Sequence, residues 1–172
     1  MFEIISHRGN LDGKDPTREN TIEAITGAMS LGYSVEFDVR MHGDTFWFGH
    51  DYPQRLIDLG RLTDLIKSYG GTLYAHCKTI ETLQHFVNQH KQGEQIVPFF
   101  HDNDECVLLR TNKIWVHPKM HDLADYYPND TILVCPEWFD AFWMNTGFAG
   151  ICTDFPNKIK SSIDERSKAK RQ

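Results

Sequence analysis

Cysteine is scarce in this sequence. The four residues, Cys77, Cys106, Cys135 and Cys152, include no Cys-x-x-Cys pair, which excludes zinc-ribbon and thioredoxin-type motifs and gives no disulfide framework. Three of them fall in strand-like runs, so they read as buried free thiols of a reducing compartment, and the expected location is cytoplasmic. No apolar run approaches the ~20 residues of a membrane-spanning helix, so no membrane span is expected. The opening MFEIIS lacks a basic, apolar leader pattern and reads as a strand. Cationic excess is missing too: 18 Lys and Arg against 24 Asp and Glu leave a net charge of -6, which argues against a nucleic-acid partner. The basic residues near the end, Arg166, Lys168, Lys170 and Arg171, read as a solvated tail. Repeats and low-complexity segments are absent. What is present is a 172-residue chain, 40% hydrophobic and 12% aromatic, expected to form one domain over 1–172 with a polar helix or tail from about 158.

Along the chain, strand-like runs alternate with helical ones. Strands are expected at Phe2–Ser6, from Ser34, and at Thr72–Lys78, Gln95–His101, Lys113–His117, Thr131–Cys135 and Ala149–Thr153, with a short one before His50. A helix capped by Asn20 runs to Leu31, with Ile22, Ile25, Ala28 and Met29 as its apolar stripe. Others are expected over Leu62–Tyr69 and after Thr79, where Leu83, Phe86, Val87 and His90 share one face. A helical turn is expected between Asp104 and Leu109, and an aromatic-rich helical segment after Pro136 includes Trp138, Phe142 and Trp143. This alternation argues an α/β fold with seven or eight mainly parallel strands. At this length the TIM (β/α) barrel it suggests is compact and incomplete, since a full one needs ~250 residues.

The stretch Ser34–Asp51, SVEFDVRMHGDTFWFGHD, carries the densest chemistry. Alternation on a strand puts Val35, Phe37 and Val39 on one face and Glu36, Asp38 and Arg40 on the other. Carboxylates where a core strand carries Val or Ile need a cationic partner, and a metal ion is the simplest one. Further polar residues end other strands: His7 and Arg8, His76 and Lys78, His101 and Asp102, His117, and Thr153 with Asp154. In a parallel barrel these ends converge on one mouth, where active sites lie. The residue types suit phosphate-ester chemistry. Glu36 and Asp38 can hold a metal, Arg8 and Lys78 can bind phosphate oxygens, and His7 and His50 can exchange protons. A structural ion-pair set of Glu36 and Asp38 with Arg8, Arg40 and Lys78 stands as the alternative. His101 and Trp138 are candidates for lining the mouth, and Glu137 for that role or for a metal. Asp154 is a candidate for fixing a turn or a histidine tautomer. His42, His85, His90 and His121 read as turn or surface residues.

Five fragments in order carry a resemblance: His7-Arg8-Gly9, Glu19-Asn20-Thr21, Glu36-Phe37-Asp38-Val39, His50-Asp51, and Gly150 through Pro156 (GICTDFP). Together they resemble the glycerophosphodiester phosphodiesterase family of phospholipase-C-like phosphodiesterases, which have TIM-barrel folds. The resemblance implies a phosphoric diester hydrolase acting on a small-molecule phosphodiester. His7 and His50 would be its acid/base pair, and Glu36 and Asp38 ligands of a divalent metal, magnesium or calcium. Arg8 would stabilise the phosphorane, and Glu19 would lie near the metal or the first histidine. A substrate hydroxyl would attack phosphorus to give a cyclic phosphate that water opens. The family's Glu-x-Lys on the third strand is His76-Cys77-Lys78 here, so a nitrogen ligand would shift preference toward manganese or zinc. The short middle of the chain resembles a compact branch of the superfamily that often accompanies bacterial surface-polysaccharide genes. A phosphate- and metal-binding module without turnover, and a lyase stopping at the cyclic phosphate, are the competing expectations.

Overall fold

The computed structural model describes residues 2–89, 95–102, 104–117, 119, 127–139 and 147–169. Readings made above for His90, His121, Phe142, Trp143, Lys170 and Arg171 lie outside these residues. The fold is mixed α/β, and the described residues form four helices and ten strands, the strands in one curled sheet.

Strands β1 (Glu3–His7), β2 (Ser34–His42), β3 (Thr45–Phe48), β4 (Arg55–Ile57), β5 (Leu73–Cys77) and β6 (Ile96–Phe99) form the first half. The second half comprises β7 (Cys106–Leu108), β8 (Ile114–Val116), β9 (Thr131–Val134) and β10 (Gly150–Thr153). Neighbours run β6-β5-β2-β1-β10-β9-β8-β7, and a β3–β4 hairpin extends from the far half of β2. Pairings are parallel for β5–β6, β2–β5, β1–β2, β1–β10, β9–β10 and β8–β9, and antiparallel for β2–β3, β3–β4 and β7–β8. This half-barrel curl is compatible with a partial barrel.

Among the described residues β6 pairs only with β5. Its central Pro98 has no N–H to give a further strand, which suits an edge. Arg110 donates to Ile96 O there, blocking that edge with a side chain. The turn expected before Leu109 is instead strand β7, because its residues pair with β8 from Cys106↔Val116 to Leu108↔Ile114. Arg55–Ile57 is likewise a strand absent from the sequence reading, paired with β3. It is too short to show a period of its own.

The helices are α1 (Ile22–Ser30), α2 (Leu59–Tyr69), α3 (Ile80–Gln89) and α4 (Pro156–Ala169). Ile22, Ile25, Ala28 and Met29 of α1 pack with Val35, Phe37 and Val39 of β2, Leu62 of α2 and Phe86 of α3 in the outer core. The concave face is different. Its deeper part is apolar, with Ile5, Tyr74, Val97, Phe99, Trp115, Ile132 and Cys152. Strand alternation then continues this inner face into His7, Glu36 and His76. Cys77, Cys135 and Cys152 are buried free thiols, and Cys106 is half-buried.

The β1–α1 connection must pass close to α1. Gly9 has φ 81°, and a Cβ there would lie 2.8 Å from the Ala24 backbone carbon and from Ala24 Cβ. Gly9→Ala is therefore expected to destabilise the fold by about 1–3 kcal/mol, measured as a fall in urea midpoint at unchanged slope.

Candidate metal and acid/base site

Strand β2 supplies the centre of the site. Glu36 is 2% exposed and Asp38 0%, yet both side chains are polar. β1 and β5 flank them, and the registers His7↔Glu36 and Asp38↔His76 bring both histidines alongside. His76 Nδ1 stands 3.7 Å from Glu36 Oε1 and 3.3 Å from Asp38 Oδ1. His7 Nε2 is 3.9 Å from Glu36 Oε2. Two cations complete the setting. Arg8 Nε lies 2.8 Å from Asp38 Oδ2, at ion-pair distance but without hydrogen-bond alignment, and Lys78 Nζ lies 3.7 Å from Asp38 Oδ1.

Asn20 holds the arrangement together. Its Nδ2 donates to Asp38 Oδ2 at 3.0 Å while its Oδ1 accepts the Asp38 backbone N–H at 2.9 Å. This corrects the capping role expected for Asn20. Thr21 is the N-cap, accepting from the Ala24 N–H at 3.0 Å, and Asn20 sits at φ 54° with its side chain committed to β2. Arg8, also left-handed at φ 54°, donates from Nη1 to Glu19 Oε1 at 3.1 Å. Glu19 thus reaches the cluster through Arg8, and no described contact joins it to Glu36 or Asp38.

A dyad forms beside this cluster. His7 Nδ1 and Asp154 Oδ1 are 2.7 Å apart, and Asn10 Nδ2 donates to the same oxygen at 2.8 Å. Burial alone would lower the His7 pKa, but the Asp154 bond and the Glu36 charge outweigh it and hold it above the usual 6.5. Burial would raise Asp154, and the His7 hydrogen bond and charge reverse this, holding its carboxyl below the usual 3.8. Trp138 is 51% exposed and sets its ring edge-on to His7 at 5.8 Å. Glu137 Oε1 accepts from Thr153 Oγ1 and the Asp154 N–H at 2.9 and 2.7 Å, while its buried Oε2 has no hydrogen-bond partner. Glu137 and Trp138 therefore support the His7 side.

His50 lies apart, on the loop after β3, with its ring 44% exposed and Nδ1 2.7 Å from Asp51 Oδ1. That loop is fixed from behind. Arg40 donates to the carbonyls of Gly49 and His50, and a Cβ at Gly49, where φ is 145°, would meet Tyr52 O at 2.0 Å. His50 opens onto a cleft of about 520 Å³ shared with Arg40, His76, Lys78, His101 and Asp102. His101 stacks on His76 at 4.4 Å, and Phe99 does so at 4.8 Å. Burial, with the charges of His76 and Lys78, lowers the His101 pKa to about 4, so it is neutral at physiological pH. Another hollow, about 420 Å³, lies beside the β1–α1 loop against Leu11, Lys14, Arg18 and Gly27 and contains none of these histidines.

A divalent ion suits the donor set. One ligand atom each from Glu36, Asp38 and His76 lies within 4.8 Å of the others, all three side chains are buried, and Asp38 Oδ1 has no hydrogen-bond partner. Burial would raise the Asp38 pKa, but His76, Arg8 and Lys78 outweigh it and keep the carboxylate ionised. Burial opposes protonation of His76, and its carboxylate neighbours reverse that and raise its pKa. Sequence reasoning missed the second roles of Asn20 and Asn10. Their only signal was their place in the β1–α1 loop, Asn20 directly after Glu19 and Asn10 two residues after Arg8. No protein-family model matches the chain, and no curated protein matches it significantly.

The His7–Asp154 pair has a definite pH signature. Asp154 contributes stability that is present above its ordinary 3.8 and is lost as pH falls through its lower folded pKa. His7 contributes stability that is complete below 6.5 and is lost as pH rises through its higher folded pKa. In metal-free protein, Asp154→Asn is expected to move the His7 inflection to lower pH, read from its imidazole proton resonance. The variant's melting temperature should fall furthest below wild type between those two ordinary values. An unmoved inflection would contradict the pairing.

Proposed function

We propose that the chain is a metal-dependent phosphodiesterase related to the glycerophosphodiester phosphodiesterases, built on an incomplete TIM-barrel scaffold of mainly parallel strands. The observation that carries this reading is the buried Glu36–Asp38–His76 set with an unpartnered Asp38 oxygen, bordered by Arg8 and Lys78 and meeting the cleft that holds His50. Two buried carboxylates matched only by two cations would suffice for structure. They would not call for two carboxylate-held histidines on either side.

Glu36, Asp38 and His76 would hold the ion, magnesium or calcium, or manganese or zinc where His76 nitrogen counts as a ligand. Bound there, it would neutralise phosphate oxygens as a Lewis acid. Arg8 and Lys78 add positive charge to the same oxygens. With Nδ1 engaged by Asp154, the His7 Nε2 is left to accept the proton of an attacking hydroxyl. With Nδ1 engaged by Asp51, the His50 Nε2 is left to protonate the departing alkoxide. Attack by a substrate hydroxyl gives a cyclic phosphate. Water entering from the open cleft then returns the monoester. His101, neutral and lining the cleft against His76, can border the substrate on that side. Trp138 can border it on the His7 side.

A second reading, a phosphate- and metal-binding module without turnover, is favoured by one observation. Among the described residues the His50 ring meets an exposed carboxylate, Asp51, on a surface loop and not a group of the buried cluster. Hydrolysis of glycerophosphocholine or bis(p-nitrophenyl) phosphate separates the two. Activity is expected to need divalent metal and to fall about 100-fold or more in His7→Ala and in His50→Ala. Turnover that persists in chelator, or in both variants, would refute the mechanism. Binding by calorimetry with no product would establish the module. Phosphorus NMR of the product would show whether the reaction stops at the cyclic phosphate.

A further inference from the structure

Strand β9 ends at Val134, and Cys135 turns the chain at φ 43° immediately before Pro136. Left-handed backbone is rare for a residue with a Cβ, and a following proline further restricts it. The Cys135 N–H donates to Cys152 O at 2.7 Å, pinning the turn against β10. This brings a buried sulfur to the His7–Asp154 dyad. The Cys135 sulfur, an imidazole nitrogen of His7 and a carboxylate oxygen of Asp154 all lie within 4.8 Å of one another. Among the described residues, no other cysteine joins such a group. Three carboxylates strengthen the negative field at this point. Burial first, then the charges of Glu137, Asp154 and Glu36, push the Cys135 thiol pKa up, so the sulfur stays protonated until a cation takes the proton's place, and among the described residues the buried Glu137 Oε2 has no hydrogen-bond partner.

We infer that Cys135, His7 and Asp154 form a second metal site, selective for thiophilic divalent ions such as zinc, cadmium or cobalt. Its sulfur, nitrogen and oxygen donors match borderline and soft ions, whereas magnesium and calcium favour the oxygen-rich Glu36–Asp38–His76 set. Ligand atoms on a tetrahedral zinc stand about 3–4 Å apart, so the 2.7 Å His7–Asp154 contact opens slightly on binding. As the metal–sulfur and metal–nitrogen bonds form, the thiol proton passes to solvent, and the single proton of a neutral His7 stays on the ring nitrogen that does not bind the metal; an imidazolium releases its second proton to solvent. No electrons are transferred. Occupancy detaches His7 from Asp154, so thiophilic ions inhibit any reaction that uses His7. The inference rests on the donor geometry alone and stands whether or not the chain cleaves phosphodiesters.

The test is titration of cobalt(II) into the metal-stripped full chain, followed by near-ultraviolet absorption. A thiolate-to-cobalt charge-transfer band is expected in the wild type. It should persist in His76→Ala, which removes a ligand of the other site, and disappear in Cys135→Ala and in the volume-preserving Cys135→Ser. No such band in the wild type, or full retention in either Cys135 variant, would overturn the site. Should both variants fail to fold, cadmium NMR of the wild type decides. Coupling of the bound metal to the Cys135 β-protons supports the site, and its absence overturns it.

Discussion

Two carboxylates buried in the middle of a β-strand constrain everything around them. Glu36 and Asp38 point away from the helix-packed face of β2, where Val35, Phe37 and Val39 meet α1 and α3. Withdrawing an ionised carboxylate from water costs several kcal/mol even after relaxation. Each element near them therefore presents a compensating group. β1 ends in His7 and leads into Arg8, the β1–α1 loop contributes Asn20, and β5 contributes His76 and leads into Lys78. Charged hydrogen bonds are worth about 1.5–3 kcal/mol each, so several are needed to offset the desolvation. One atom, Asp38 Oδ1, has no hydrogen-bond partner among the described residues, with His76 Nδ1 and Lys78 Nζ standing 3.3 and 3.7 Å away.

The compensation also explains the local backbone. Arg8 and Asn20 both adopt left-handed conformations, and Asn20 N–H donates to Arg8 O at 2.9 Å, so the two strained residues hold each other. This brings a guanidinium and an amide to the same carboxylate. Strain of this kind persists only where surrounding contacts over-determine it. A parallel device operates on the far side, where Asp154, just past the end of β10, receives His7 and Asn10 together. The site is thus two carboxylate-centred knots joined through His7 and Glu36. His50 faces it across an open cleft, on a loop fixed by Arg40 and Gly49.

Much of this was legible in the chain. Alternation along Ser34–Arg40 showed which face was polar, because a strand has a period of two whatever surrounds it. Polar residues at successive strand ends identified the rim. Legibility failed for short or paired elements. Arg55–Ile57 and Cys106–Leu108 are three-residue strands, defined by partners far away in sequence rather than by their own pattern. Asn20 looked like a helix cap because asparagine commonly is one. Thr21 took that role, and the Asn20 amide turned to a strand that no local rule connects to it.

The sequence by itself determined the α/β alternation and the acidic face of β2, since these follow from periodicity and residue type. Tertiary structure alone decided who meets whom. Parallel registers set His76 against Asp38 and His7 against Glu36, and β10 brought Asp154 across 147 positions to the His7 imidazole. It also decided that His50 sits on an exposed loop and that Cys135, a lone thiol in the sequence, touches the dyad. Such pairings depend on how a curled sheet superimposes distant strand ends, and no spacing along the chain encodes that distance.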